Sequence, residues 1–498
     1  MSFEWKSHPL HSVGRIVTGK TPSSNIEGAF DDQGIPFITP SDMDGRRCID
    51  STVRYLSEVG LEVSKKYLVP EGSVAVSCIG SDMGKAVLVG QDSVTNQQIN
   101  TIIVDESQFN PVFVYYVLST MQQELKNIAS GSATPILNKT HFGNVEIRAP
   151  KRELQNKIVS ILEPSDLKIT LNTQTNQTLE QMAQALFKSW FVDFDPVIDN
   201  ALDSGFFERE FEGEGIPEPL AKRVAIRQAV REGMRQALRQ TMTEGARAAT
   251  GAAAASQEPS AINASFSASL PADIRALFPA SFVEHPDLGW IPEGWAVKTL
   301  AELAEKISKG TTPNKTDLSQ AKDEPTVRFL KVKDMGDDGE IDISNLELIS
   351  RSIHEGGLKR SILQRGDLLF SIAGTIGRVG QVAEELHDSN TNQAVAFIRL
   401  KDAQSHQEFV RQNLLSPRIQ SDVTAKVVQG VQANVSLKSI GELAVCVPSV
   451  ELLNVWNSSA FPLIRQIELQ RRQSSSLANL RDTLLPKLLS GELTLAEA

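Results

Sequence analysis

Cysteine is nearly absent from this chain. Cys48, Cys78 and Cys446 lie far apart and form no CxxC pair. Three scattered thiols exclude a disulfide framework, argue against a zinc site and fit a reducing cytoplasm. No run of 18 apolar residues occurs, so neither a membrane-spanning helix nor a membrane partner is expected. The opening MSFEWKSHPLHSVGR lacks the basic-then-apolar pattern of a secretory signal. The seven histidines form no HExxH, and no GxSxG occurs, so no metal and no catalytic residue is assigned. A surplus of positive charge is missing too, since the net charge is −11. Residues 1–150 carry 12 Lys+Arg against 16 Asp+Glu, and residues 295–449 carry 19 against 20. Any affinity for phosphate must then come from local clusters or from partner proteins.

What the chain has is length and repetition. Its 498 residues amount to roughly three domains' worth of chain. Trp5 and Leu10 recur as Trp295 and Leu300, and Ile16–Pro22 recurs as Ile307–Pro313. Asp42-Met43 returns as Asp334-Met335, Gly72, Ser77 and Gly80 as Gly366, Ser371 and Gly374, and Thr95-Asn96-Gln97 as Thr391-Asn392-Gln393. The offset grows only from 290 at Trp5 to 298 at Leu154, whose counterpart is Leu452. An ordered set of matches with a slowly drifting offset is an internal duplication.

Each copy begins with about 150 residues of short β-like runs punctuated by Gly and Pro, such as 73–77 and 367–371. A helical stripe follows. Leu154, Ile158, Ile161 and Leu162 begin it in the first copy, and Leu452 and Trp456 in the second. Pro164 and Pro462 fall at the same place in the two stripes, where a break or kink is expected. Residues 169–191 predict a helix of about 35 Å, close to one turn of B-DNA at about 34 Å. Two such helices are expected to pair antiparallel through Leu179, Met182, Leu186, Leu477, Leu480 and Leu484 and to separate two lobes. The alternative is that each helix only closes its own lobe.

The segment between the copies is unlike either. Arg223, Arg227, Arg231, Arg235 and Arg239 recur at every fourth position beside Val230, Met234 and Leu238, which makes one basic stripe on a helix. It reads as a helix laid on phosphates or on an acidic partner, or as a solvated amphipathic helix. Residues 245–270, rich in Ala, Ser, Gly and Thr, read as a flexible linker.

Two motifs tempt toward catalysis. Residues 14–21 match the P-loop pattern GxxxxGK[ST]. Pro22 biases Thr21 away from the helix that a P-loop needs, and the second copy has Gly310-Thr311 where the first has Gly19-Lys20. Asn110-Pro111-Val112-Phe113 is similar to the base-holding loop of adenine methyltransferases, but Asn110 and Pro111 also suit a helix start.

Four segments carry a family resemblance. Residues 185–197 (ALFKSWFVDFDPV) resemble the central shared region of Type I restriction-modification specificity subunits, and residues 480–493 (LRDTLLPKLLSGEL) their distal shared region. Residues 276–282 (ALFPASF) with 291–295 (IPEGW), and 366–377 (GDLLFSIAGTIG) with 391–393, resemble their second target-recognition domain. The resemblance covers the chain except about 200–270. It implies an α+β fold of two tandem pseudo-repeats, each a mixed α/β target-recognition domain followed by a long helix, the two helices pairing as an antiparallel coiled coil. The implied division is 1–150 and 291–449 for the recognition domains, 151–198 and 450–498 for the helical spacers, and 199–290 for an insert. The implied role is to read a bipartite, asymmetric double-stranded DNA site without catalysis. Partners are implied as well: two modification subunits and two restriction subunits. Adenosylmethionine, ATP and Mg are expected on those partners and not on this chain.

Base reading favours Arg or Lys for guanine on exposed loops. The candidates are Lys20, Arg46, Arg47, Lys85 and Lys139 in the first lobe, and Lys309, Lys315, Lys331, Lys333 and Arg378 in the second. The shared Thr-Asn-Gln triplets read as structural, because reading residues should differ between lobes. A two-repeat scaffold without a DNA role, and a nucleotide hydrolase built on Lys20, are the competing readings.

Overall fold

A computed structural model describes residues 5–80, 82–129, 136–244, 270–321, 323–336, 339–343, 345–427 and 433–493. Two compact units make it up. The first is Met1–Gln177 with Ile467–Ala498, and the second is Thr178–Gln466. The repeat boundary and the unit boundary therefore differ: each unit holds one lobe and a part of each long helix. Among the described residues no helix is long and apolar enough to cross a membrane.

In the first unit, Lys6–Pro9 pairs antiparallel with Glu146–Ala149, so the lobe's two ends meet in one ribbon. One sheet runs in the order Gly14–Thr18, Ile99–Val104, Val74–Ser77, Ala86–Val89, Cys48–Ile49. A second runs Phe30–Asp31, Tyr55–Leu56, Ile35–Ile38, Ser93–Thr95, Leu68–Val69. Every residue of Val74–Ser77 is buried, as in a strand covered on both faces. Its side chains alternate between two clusters, Val74 and Val76 in one and Ala75 in the other. The larger cluster continues through Phe113 and Leu118 of helix Pro111–Thr120 to Leu154, Ile158, Leu162, Leu485 and Leu488 on the long helices.

The second unit repeats the centre of this frame with fewer strands, in sheets of four and three instead of five and five. Ala296–Thr299 pairs with Ala444–Val447 as the closing ribbon. Ser77 faces Ile99 in the first lobe, and Ser371 faces Val395 in the second. The parallel pairing of Ile38 with Thr95 returns as Leu330 with Thr391. The duplication read from sequence is thus a duplication of strand register.

The first long helix spans Arg152–Phe191 and the second Val450–Ser490, 40 and 41 residues. Of the break or kink expected at Pro164 and Pro462, the break does not occur, since each helix runs on past its proline. A proline removes one amide hydrogen bond, and near Pro164 the helix is held by buried Leu162 and by Asp166, which accepts from Tyr116 and Arg481. The pairing is antiparallel. In the first unit Asn172 meets Gln473 and Ser474 while Asp166 meets Arg481, so one numbering falls as the other rises. In the second unit Phe187 and Trp190 stack edgewise on Trp456.

The leucine seam expected there needs correction at Leu480. Leu480 is 52% exposed, and Leu179, Met182, Leu186, Leu477 and Leu484 are only half-buried. Arg481 turns toward Asp166, and a residue one position away lies about 100° around the helix, so Leu480 is carried outward. Buried Asn172, Ala183, Phe187, Trp190, Leu485 and Leu488 line the helices, with half-buried Leu186 and Leu484 packed against the same two cores.

The basic stripe of the insert also turns out differently. Helix Asp195–Ser204 carries Asp195, Asp199 and Asp203 at the same four-residue spacing as the arginines of helix Glu218–Glu244. Arg227 donates to Asp199, and Arg231 and Arg275 to Asp203. Arg223 lies over the Phe194 ring at 5.4 Å. The acidic partner of the stripe is in the same unit, where Arg227 and Arg231 pair with Asp199 and Asp203. Arg235 stays exposed. The side chains of Leu238 and Arg239, and the linker 245–269, lie outside the described residues. Val197, Ile198, Phe206, Phe207, Leu220, Val224, Phe278 and Phe282 join the core of the second lobe, so the insert is part of that unit.

Candidate nucleic-acid interface

Strand directions decide which loops share an end. Gly14–Thr18 and Val74–Ser77 both run antiparallel to Ile99–Val104, so both finish where that strand begins. Ile35–Ile38 runs parallel to Ser93–Thr95 and finishes there too. A bridge from Ile136 to Ile79 brings 136–139 alongside. Loops 19–29, 39–47, 78–85 and 96–98 therefore leave the first lobe at one end, with Lys20, Arg46, Arg47, Lys85 and Lys139 among them. The second lobe gathers 310–315, 331–336, 372–378 and 392–393 in the same way, and Asn434 bridges Ala373. Lys309, Lys315, Lys331, Lys333 and Arg378 belong to that end.

A clamp shared by both copies shapes it. The Lys20 amide donates to the Thr95 carbonyl, and Thr311 donates to Thr391. The Thr21 hydroxyl donates to Gln97 at 2.6 Å, and Thr312 donates to Gln393. The Asn96 and Asn392 side chains accept from the amides of Gln98 and Ala394. A Cβ on Gly19 would sit 2.1 Å from the Thr95 carbonyl oxygen, and one on Gly310 1.9 Å from that of Thr391. The Gly-x-Thr-Pro and Thr-Asn-Gln motifs are the two halves of one turn-to-strand clamp. The P-loop match dissolves here, because Gly14–Thr18 is a strand and no helix follows within the clamp. Asn110 likewise caps a helix, accepting from the amides of Val112 and Phe113.

The ten candidate cations divide by their partners. Arg47 is mostly buried and donates to Glu163 at 2.7 Å while lying over Tyr115 and Tyr116. Its charge is spent inside the unit, which corrects its assignment to an exposed reading loop. Lys85 donates to the Met43 carbonyl at 3.3 Å and pairs with Asp82. Arg378 donates to the Met335 carbonyl at 2.7 Å. Met43 and Met335 are matched positions, so both cations close the same 3-10 turn. Lys331 is half-buried against Phe329 and paired with Glu347. Arg46 is held by Asp44 at 3.0 Å but stays partly exposed. Among the described residues, Lys20, Lys139, Lys309 and Lys315 are exposed and have no side-chain partner, and Lys333 only approaches its neighbour Asp334 at 4.0 Å. Sequence reasoning treated all ten alike, since spacing does not reveal a carbonyl 40 residues away.

The thiols take no part. Burial pushes Cys78 up to about 11 and Cys446 up to about 12, which keeps both protonated at neutral pH. Among the described residues no group of His, Cys, Asp and Glu is placed to hold a metal.

This frame of two matched lobes is the one described by the Type I restriction modification DNA specificity domain, which matches residues 3–181 and again 292–470. The chain belongs to that family. It is similar to the Type I restriction enzyme HindI specificity subunit of Haemophilus influenzae, 27% identical over 98% of this chain and 100% of the relative. It is also similar to the MjaIX specificity subunit of Methanocaldococcus jannaschii, 29% identical over 39% of this chain and 45% of that one. The crystal structure of a Type I restriction-modification S subunit from M. genitalium shares the fold, with a TM-score of 0.50 and 14% identity over 98% of this chain and 96% of that one. As a specificity-domain protein the chain explains its own shared segments. Residues 185–197 supply Phe187, Trp190, Phe191 and Phe194 to the core of the second unit. Residues 480–493 supply Leu485 and Leu488 to the core of the first, and Gly491 ends the helix in the left-handed region at φ 76°.

Proposed function

We propose that this chain is the DNA sequence-specificity subunit of a Type I restriction-modification complex and reads a bipartite, asymmetric site. One observation carries the reading. The two lobes share their frame and clamp, yet their free cations fall at different matched positions. Lys20 corresponds to Thr311, Lys309 to Thr18, and Lys139 to Leu437. A repeated frame with unrepeated cations presents two different donor patterns to the grooves of a duplex. Each lobe then selects its own half-site.

The chain acts without chemistry of its own, in the cytoplasm. Two modification subunits supply adenosylmethionine-dependent adenine methylation, and two restriction subunits supply ATP- and Mg-dependent cleavage. The near-neutral lobes support this reading, because the partners provide the remaining phosphate contacts. The test is selection of duplexes from a random library by the chain purified with its modification subunit. Two different conserved blocks separated by a fixed number of unread base pairs are expected. A single block, or two identical inverted blocks, would contradict the proposal.

A further inference from the structure

The first lobe stands on the helix pair through a polar node at Asp166. This carboxylate is 4% exposed. It accepts from the Tyr116 hydroxyl at 2.5 Å and from Arg481 at 2.7 Å, and the Arg47 guanidinium lies 4.0 Å away. Arg47 is fixed in turn by Glu163. Four elements meet there: the loop 39–47 of the reading end, the lobe helix Pro111–Thr120, and both long helices. Below the node, Leu154, Ile158, Leu162, Leu485 and Leu488 attach the lobe by apolar contact. Apolar contact holds surfaces together without direction, whereas charge-assisted hydrogen bonds fix angles. Burial, and the carboxylate beside it, push the Tyr116 hydroxyl well above its ordinary value, so it stays a donor at neutral pH.

Among the described residues the second lobe has no charged node at the matching place, and its polar tie to the long helix is Asn457, which donates to the carbonyls of Gln404 and Ser405. The position matching Tyr116 is Gln412, which bonds to Glu408 within its own helix, and the position matching Asp166 is Ile464. Its seat is aromatic, with Phe187 and Phe191 against Phe409 and Trp456.

We propose that Asp166, with Tyr116, Arg481 and Arg47, is a positioning node that sets the angle at which the first lobe presents its reading loops, and thereby the half-site spacing that the complex accepts. The spacing role rests on the bipartite function proposed above. Arg47 closes the loop that carries exposed Arg46, so the reading end is tied to the helix pair through the node itself.

The experiment uses Tyr116→Phe and Asp166→Asn in the chain co-expressed with its modification subunit. Methylation rates are compared on the recognised site and on the same half-sites with one base pair removed or added between them. The variants are expected to lose about tenfold of the discrimination between spacings, with the half-site sequences unchanged. Tyr116→Phe deletes one hydroxyl from an otherwise intact core, which keeps the test open where Asp166→Asn folds poorly. Unchanged discrimination, or an equal fall on all spacings, would overturn the proposal. Amide hydrogen exchange on the free chain tests the node without DNA: residues 39–47 and 111–120 are expected to exchange about tenfold faster in Asp166→Asn, and unchanged exchange would overturn it. Faster exchange beside a wild-type complex that methylates no bipartite site would sink the spacing role through the function on which it rests, and would leave the node standing.

Discussion

Gly19 and Gly310 are fixed by contact and not by backbone angle. Each lies against the carbonyl that opens a Thr-Asn-Gln turn. Gly19→Ala is expected to cost about 2 to 4 kcal/mol in urea unfolding, because a backbone oxygen cannot step aside. Lys20→Ala, one residue on, is expected to change stability by less than about 0.5 kcal/mol. Equal costs at the two positions would contradict the clamp. The free cations separate from the bound ones in the same manner. Lys309→Ala is expected to weaken DNA binding with little change in stability and to lower the salt slope by about one. Arg47→Ala is expected to lower stability by about 1 to 3 kcal/mol, because it leaves Glu163 unpaired and removes the cation packed over Tyr115 and Tyr116, while Arg481 still neutralises Asp166. The motif residues were legible in the sequence, since both copies keep them. The division of ten cations into free and bound was not, because it depends on carbonyls and carboxylates distant in the chain.

Among the elements, the long helices show what periodicity tells and what it omits. The stripe announced two paired helices, but Pro164 and Pro462 suggested a break or kink, and each helix runs on past its proline. The seam was assigned to Leu480, while the buried neighbours are Leu485 and Leu488. Leu485→Ala is expected to cost about 2 to 5 kcal/mol in thermal or urea unfolding, and Leu480→Ser well under 1 kcal/mol. The reverse order would contradict the register. The insert was opaque for a different reason. A run of arginines reads as an outward surface until the matching aspartates are placed opposite. Asp199→Ala is expected to cost about 3 to 5 kcal/mol by stranding buried Arg227. Burial works against the charge of Asp203, but hydrogen bonds from Arg231 and Arg275 outweigh it and hold the carboxyl below the usual carboxylate range. A carboxylate lowered in the fold lends stability above its ordinary pKa and loses it as pH falls through the lowered value. Burial pushes Asp195 the other way, so its protonation on acidification favours the fold and offsets only part of the loss at Asp203. Exchange of amides 218–236, corrected for intrinsic rate, is therefore expected to quicken below about pH 4, and equal protection there and at pH 7 would contradict the zipper.

At the scale of the whole molecule, the duplication was the most legible feature, since matched residues at a slowly drifting offset became matched strand pairs. The compact units were less legible, because they follow packing and each takes a part of both long helices. Two lobes with one frame and unlike free cations imply two different readers of DNA in one chain. The most direct test is methylome sequencing of host DNA with this chain present and with it deleted, its modification subunit kept intact and expressed. N6-methyladenine is expected to disappear from one bipartite motif with unlike halves when the chain is deleted. An unchanged methylome would contradict it.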